Sequence, residues 1–287
     1  MQKSGEVTQE FSLSSRMKTN VPWWALLIIA TGLFILYLIL SDKNYRDTFN
    51  FLRAGMSMTL YITLVAFPIA TVLGLITGLM RTSKNVVLYT IATIYVEVIR
   101  GIPLVVLILM VAFALVPLYV ELVKSLGAWG LAQFGPDVLG GWFTSMSTYS
   151  IRTIPMEIRA VIALAFAYGA FEAEIFRAGI QSISRGQMEA ARSLGMRYFQ
   201  AMRFVILPQA IRRVLPPLGN DFIAMLKDSS LATVLAVNEL TQMTRLRRAS
   251  TFRVMEAFNV AAFLYLSMTL LLSGAVRVLE RKMRIEE

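Results

Sequence analysis

The chain contains neither cysteine nor histidine. Disulfides, thiolate and imidazole metal sites, and nucleophilic machinery built on Cys or His are therefore excluded. Any catalysis would have to run on carboxylates, Lys, Tyr or Ser. Charge is scarce as well: 16 % of the 287 residues are ionised, against about 25 % in an ordinary soluble domain. No Gly-rich loop ends in Lys-Ser or Lys-Thr, so the nest of amides and the lysine that hold nucleotide phosphates are missing. Neither an internal repeat of 20–50 residues nor a low-complexity run stands out. What is abundant is apolar surface, with 56 % hydrophobic residues and a mean hydropathy of +0.62. Such a chain belongs in a bilayer. Its formal net charge of +10 fits loops held at an anionic leaflet better than nucleic-acid binding.

A bilayer core needs roughly 20 apolar residues per helix, and six stretches meet that length: 23–40, 54–80, 102–120, 157–181, 214–240 and 257–276. The expected fold class is an all-α polytopic membrane protein of about six transmembrane helices. Residues 1–22 form a polar leader without a small-residue cleavage site, so the helix at 23–41 is expected to be retained. Six spans place both ends on one side. Fifteen Lys and Arg lie on the side of the leader, the 81–85 and 182–213 loops and the C-terminal end from Arg277, against nine opposite. The termini are thus expected in the cytoplasm. A cluster of Arg245, Arg247, Arg248 and Arg253 is then placed outside, which periodicity leaves unexplained.

Residues 86–120 would make a helix of about 52 Å, too long for one perpendicular span. Arg100-Gly101-Ile102-Pro103 supplies a break, since Gly is permissive, Pro lacks a donor and the residue before Pro avoids the helical region. The first part is expected at the membrane surface or partly inserted, and the span proper from Ile102. Segment 121–156 reads as an external insertion at the interface, with Trp129 and Trp142 as anchors.

Between the fourth and fifth spans, Ser184 is placed to cap a helix. Glu189-Ala190-Ala191 favours one and Gly195 is a good stop, predicting about ten helical residues. A second amphipathic stretch from Tyr198 is expected to be interrupted by Pro208. The spacing of Glu189-Ala190-Ala191, Gly195 and Ile206-Leu207-Pro208 resembles the EAA loop of the membrane subunits of ABC importers, with Ile and Leu adjacent here rather than separated. Tyr95-Val96-Glu97, Glu174-Ile175-Phe176-Arg177 and Lys227-Asp228-Ser229-Ser230-Leu231 look like the polar amino-acid branch of those permeases. The resemblance covers roughly 54–280. It implies a type I importer transmembrane domain whose loop 183–209 carries a coupling helix that docks on a cytoplasmic ATPase. Glu189 would offer that partner a carboxylate, Ala190 and Ala191 would allow close approach, and Gly195 would permit the turn. ATP and Mg would be held by the ATPase dimer, with no cofactor, metal or catalytic residue in this chain. A second permease, like or homologous, and an external solute-binding protein would complete the assembly.

Ionisable residues inside apolar spans are functional candidates by default: Glu172, Glu174, Arg177, Asp221, Lys227 and Asp228. Glu172 and Glu174 lie about 200° apart on a helix and cannot share one cavity, and Glu174 can pair with Arg177 at i, i+3. Lys227 and Asp228 either neutralise each other or, with Ser229 and Ser230 loosening the helix, line a substrate path. For a zwitterionic amino acid, Glu172, Asn220 or Asp221 would meet the ammonium, and Ser229, Ser230 or backbone amides the carboxylate. Arg100, Gly101, Pro103 and Pro208 are assigned structural roles. The expected function is ATP-driven import of polar amino acids by alternating access in the inner membrane of a prokaryote. An ion-gradient-coupled amino-acid carrier is the alternative.

Overall fold

A single residue, Asp42, separates α1 (Trp23–Ser41) from α2 (Lys43–Arg81), its carboxylate accepting from the amides of Asn44 (2.7 Å) and Tyr45 (3.1 Å). The computed structural model describes residues 23–135 and 141–283, and every regular element among them is helical. The expected leader 1–22 and the tail from residue 284 lie outside the described residues. The helices at Trp23–Ser41, Lys43–Arg81, Leu104–Phe134 and Val254–Val278 are long and apolar enough to cross a membrane. Two more, α7 (Met156–Gln181) and α10 (Leu207–Asp228), reach about 39 and 33 Å but carry ionisable residues. Together these make six long helices, with α12 (Val254–Met283) the last.

Several expected boundaries move. The second span starts at Lys43 rather than Ala54, because the Asp42 cap begins the helix before the apolar run does. Helix α3 (Val86–Gly101) ends where the Arg-Gly-Ile-Pro sequence predicts, with Ile102 extended (ψ 133°) before Pro103. It packs on α2 and α7. The third span then runs through α4 (Leu104–Met110), a π turn at Val111–Leu115 and α5 (Val116–Phe134). It does not stop near Val120: Glu121 and Lys124 sit at i, i+3 and pair at 3.0 Å, so their charge continues the helix instead of ending it. The first part of the expected insertion, to Phe134, is thus an extension of the span, against which α6 (Trp142–Ser147) packs through Gly127 and Gly130. Trp129 and Trp142 are exposed.

The fifth span does not reach Leu240. Helix α10 gives way at Ser229, whose hydroxyl donates to the Leu226 carbonyl (2.8 Å), to a 3-10 segment at Ser229–Leu235. The chain resumes as α11 (Leu240–Thr251), and this helix carries Arg245, Arg247 and Arg248 of the arginine cluster, with Arg253 just beyond its end. It lies along the first part of α2, Leu240 meeting Gly55, and Arg247 reaching Thr48 (3.2 Å) with its guanidinium over the Phe51 ring. Nor does Pro208 interrupt its stretch: α9 (Tyr198–Ala201), a π turn at Met202–Ile206 and α10 form one continuous helix. A wide turn ahead of the proline absorbs its missing donor and its ring. The π turn at Val111–Leu115 precedes Pro117 in the same way.

The core lies between α2 and α7. Ala66, Ala70, Gly74 and Gly78 recur every fourth residue on α2 and are buried against Ala163, Ala167, Ala170 and Ala173 of α7. Small residues let the two backbones approach closely, the usual basis of helix association where lipid removes the hydrophobic incentive. Arg159, near the start of α7, is buried and donates to the carbonyls of Ile154 (2.9 Å), Ala112 (3.0 Å) and Ile151 (3.1 Å). Ala112 belongs to the π turn, so one guanidinium ties that turn to the outer segment. Replacing Arg159 with Met leaves three carbonyls without this donor. A loss of about 3 kcal/mol is expected, read as a lower thermal midpoint of the purified protein in detergent.

Candidate functional site

The loop after α7 holds a separate helix, α8 (Arg185–Ser193). Ser184 occupies the cap position, but its side chain makes no capping bond; its backbone carbonyl accepts from the Gln187 amide (3.1 Å). The other end is strongly defined. Gly195 takes φ +84°, its amide donates to Arg192 (3.0 Å), and the Met196 amide reaches back to Ala191 (3.2 Å). That is a Schellman stop, which requires a left-handed residue. Gly195→Ala is expected to cost about 1 kcal/mol and to speed amide hydrogen exchange in residues 189–193 while leaving the spans unchanged.

Helix α8 is fastened by one face only. Met188 and Ala191, at i and i+3, turn towards Ile183, Val205 and Ile206, and Gln209 donates to Gln187 (2.8 Å). Its opposite face is open: Glu189 and Ala190 are exposed. Of the two alanines expected to meet a partner, Ala190 is on the open face, whereas Ala191 is 4 % exposed and packs on its own chain. Two large apolar side chains flank the open face, Leu194 and Phe199, each 82 % exposed. The sequence reading passed over both; their signal was a leucine beside a helix stop and an aromatic in a basic loop. Exposed apolar groups around a carboxylate form a surface suited to another protein.

Above α8, Arg81 of α2 pairs with Glu174 of α7 (2.7 Å) and Glu97 of α3 (3.5 Å), and Glu174 also pairs with Arg177. Glu174 is thus committed to an ionic clasp joining three helices, as its spacing from Arg177 suggests. Arg100 is exposed on the last turn of α3, with Gly101 closing it.

The pathway candidates divide. Glu172 is fully buried, and neither carboxylate oxygen has a hydrogen-bond partner among the described residues. Asp228 does not pair with Lys227; it accepts from the Tyr168 hydroxyl (2.8 Å), while Lys227 is exposed. Their mutual neutralisation is therefore not what shapes this bend. Adjacent residues on a helix point about 100° apart, which separates the two side chains. Ser229 is spent on its own helix, Ser230 and Asp221 are partly buried, and Asn220 is exposed. Tyr168 and Glu172 share a face of α7 at i, i+4, and Asp221 and Asp228 share one of α10 at i, i+7; the Tyr168–Asp228 bond holds the two faces together.

Two ionisable residues escaped the sequence reading. Arg159 is one. Glu239 is the other: it is fully buried and accepts from the amides of Thr241 and Gln242 (2.7 Å each) and the Tyr265 hydroxyl (3.0 Å), capping α11 against α12.

Comparison with known proteins places this arrangement. Residues 70–285 match the family described as the binding-protein-dependent transport system inner membrane component. The glutamine transport system permease protein GlnP of Escherichia coli (strain K12) is 36 % identical over 231 residues, covering 80 % of this chain and 92 % of that protein. The probable glutamine ABC transporter permease protein GlnM of Bacillus subtilis (strain 168) is 36 % identical over 237 residues, covering 83 % and 95 %. Among solved structures, an amino acid ABC transporter with histidines superposes with a TM-score of 0.65 at 37 % identity, covering 85 % of this chain and 98 % of that one. The inward-facing MetNI methionine ABC transporter shares the fold at a TM-score of 0.59 and 20 % identity, covering 82 % and 97 %. With its six long helices, its separate loop helix and this match, the chain belongs to the inner-membrane permease components of binding-protein-dependent ABC transport systems.

Proposed function

We propose that the chain is a transmembrane subunit of an importer for polar amino acids, paired with a like or homologous permease around a central pathway. The observation that carries this reading is α8, a short helix with a fixed stop, anchored by Met188 and Ala191 and open along Glu189 and Ala190. It serves as the contact for a cytoplasmic ATPase dimer, which holds ATP and Mg. An external binding protein delivers the substrate. Closing of the ATPase dimer draws two such helices together and opens the pathway outward, and hydrolysis resets it, so transport is a shift between two access states. The N- and C-termini lie in the cytoplasm, and the membrane is the inner membrane of a prokaryote. Support for amino acids as substrate comes from the relatives' names, from the buried carboxyl group of Glu172 on α7 and from the half-buried ones of Asp221 and Asp228 on α10.

The test is uptake of labelled amino acids into liposomes bearing the complex with its ATPase and binding protein. Uptake is expected only with ATP inside the ATPase compartment, and unchanged when proton and sodium gradients are collapsed. Accumulation driven by a gradient without ATP would overturn the reading in favour of a secondary carrier.

A further inference from the structure

Helix α1 lies outside the stretch that matches the family, which begins at residue 70. Between α1 and α12 runs a groove of about 210 Å³, lined by Ile29, Gly32 and Leu36 on one side and Phe263, Leu266 and Leu270 on the other. Its surface is apolar: the hydroxyl of Ser267, in the α12 wall, is spent on the Phe263 carbonyl (2.7 Å), and a Cβ on Gly32 would meet nothing within 4 Å. Leu36 stands five residues before the end of α1 and Ile29 twelve. The α1 wall therefore runs from about 8 to about 18 Å below that end, the depth of one leaflet of a hydrocarbon core about 30 Å thick.

The mouth of this groove is basic. Both walls reach the bilayer boundary there, since the span of α1 ends at Ser41 and that of α12 starts at Val254. Arg46 folds back over the end of α1 to donate to the Leu40 carbonyl, and Arg253 precedes the start of α12; the Tyr45 and Asn259 side chains bond the two sides together (3.2 Å). Segments 42–53 and 245–256, which meet through Thr48 and Arg247, carry three and four cations against two carboxylates and one. Of those carboxylates, Asp42 is spent on its cap and Glu256 on Arg253 (3.6 Å), and Asp47 is exposed; Lys43, Arg46, Arg248 and Arg253 are exposed as well. Phe252 sits among them, left-handed (φ 56°) and 87 % exposed. That backbone favours glycine and strains a bulky side chain, yet the ring meets almost nothing of its own chain, so its contact lies outside it. Val254, Met255 and Phe258 continue the exposed apolar surface into the span.

Going beyond the transport reading, we infer that this corner is a site for an anionic phospholipid. One acyl chain lies in the groove between α1 and α12, and the phosphate is held by Arg46 and Arg253 at its mouth. Lys43 and Arg248 add charge, and Phe252 is seated at the boundary of headgroups and chains, as apolar rings of interfacial segments are. Guanidinium groups bind phosphate oxygens through charge-assisted bonds, and basic residues at a membrane surface attract anionic lipid. An acidic protein surface would meet the same cations but leave the groove and Phe252 without a partner, so a lipid accounts for more of what is there.

The full chain, purified in mild detergent, is titrated with dioleoylphosphatidylglycerol or dioleoylphosphatidylcholine, and retained lipid is counted by native mass spectrometry. The anionic lipid is expected to bind at least about tenfold more tightly than the zwitterionic one. Arg46→Gln with Arg253→Gln should weaken it about thirtyfold and leave the zwitterionic lipid as it was. If the thermal midpoint shows that pair unfolded, Arg253→Gln alone stands in, with a loss of about fivefold. Gly32→Leu, which fills the groove, should weaken the dioleoyl lipid about tenfold, whereas the dihexanoyl analogue, too short to fill it, binds parent and variant alike. Glycerol phosphate, the headgroup without chains, should not compete. Equal retention of the two lipids, competition by glycerol phosphate, or unchanged binding in the folded charge variants or in Gly32→Leu overturns the inference. Charge variants that keep the lipid but lose stimulation of the ATPase by the binding protein would assign these cations to a protein partner instead.

Discussion

Glu189→Lys is expected to abolish ATP-driven uptake while leaving the membrane domain folded. The Glu189 side chain is exposed on the open face of α8 and makes no hydrogen bond or ion pair to its own chain among the described residues; only its backbone carbonyl is engaged, by Ser193 (3.0 Å). Lysine has similar helix propensity, so α8 keeps its shape and its anchor at Met188 and Ala191. What changes is the charge offered to a docked protein. Reversing a charge at an interface costs on the order of 2–5 kcal/mol, enough to lower occupancy of the coupled state by tenfold or far more. Uptake should fall to background and the ATPase should co-purify poorly, with an unaltered thermal midpoint of the permease. Normal uptake by this variant would mean that α8 is not where the ATPase grips.

How far the sequence discloses this molecule depends on what local signals can see. The loop helix α8 is legible because each of its parts is local: the helix-forming Glu-Ala-Ala, the glycine four residues on, and the polar residues around them. The break at Arg100-Gly101-Ile102-Pro103 is legible for the same reason, since proline restricts its neighbour regardless of context. Hydropathy misplaces the other boundaries. It stops at Glu121 because a charge looks like an end, although Glu121 and Lys124 satisfy each other, and it runs through Ser229 because the residues beyond are apolar although the backbone has tightened to a 3-10 turn. Pro208 misleads in the opposite direction, because a π turn takes up its strain and no residue type announces a π turn. The roles of Arg159 and Glu239 as ties between segments depend on groups far away in the chain, the Ala112 carbonyl and the Tyr265 hydroxyl, so nothing near them in sequence reveals those contacts. The arginines of α11 become intelligible only once that helix is seen lying along α2, where Arg247 stacks on Phe51.

Gly78→Val is expected to prevent the protein from reaching its folded state, and Gly78→Ala to lower its stability measurably. A Cβ at this position would stand 2.8 Å from the Cβ of Phe176 and 2.9 Å from the carbonyl oxygen of Ala173. Neither is the end of a flexible side chain, so rotation cannot relieve the clash and the helices must move apart. Separation is costly here because the seam is a row of small residues, Ala66, Ala70, Gly74 and Gly78 against the alanines of α7, and a shift at one level opens the contact at every other. Overpacking a tight core costs about 1–3 kcal/mol, and more where backbone opposes backbone; for a β-branched side chain in this seam about 4 kcal/mol is expected, a large part of the stability of a typical domain. Gly32 of α1 provides the control, since a Cβ there meets nothing within 4 Å and Gly32→Ala should melt like the parent. The readout is the monodisperse fraction in detergent together with its thermal midpoint. The seam also carries Glu172 through Gly74 one turn away, so the milder Gly78→Ala should weaken substrate binding along with stability. Binding that survives undiminished would show that the carboxyl groups of α7 and α10, two helices joined by the Tyr168–Asp228 bond (2.8 Å), do not depend on the closeness of α2 and α7.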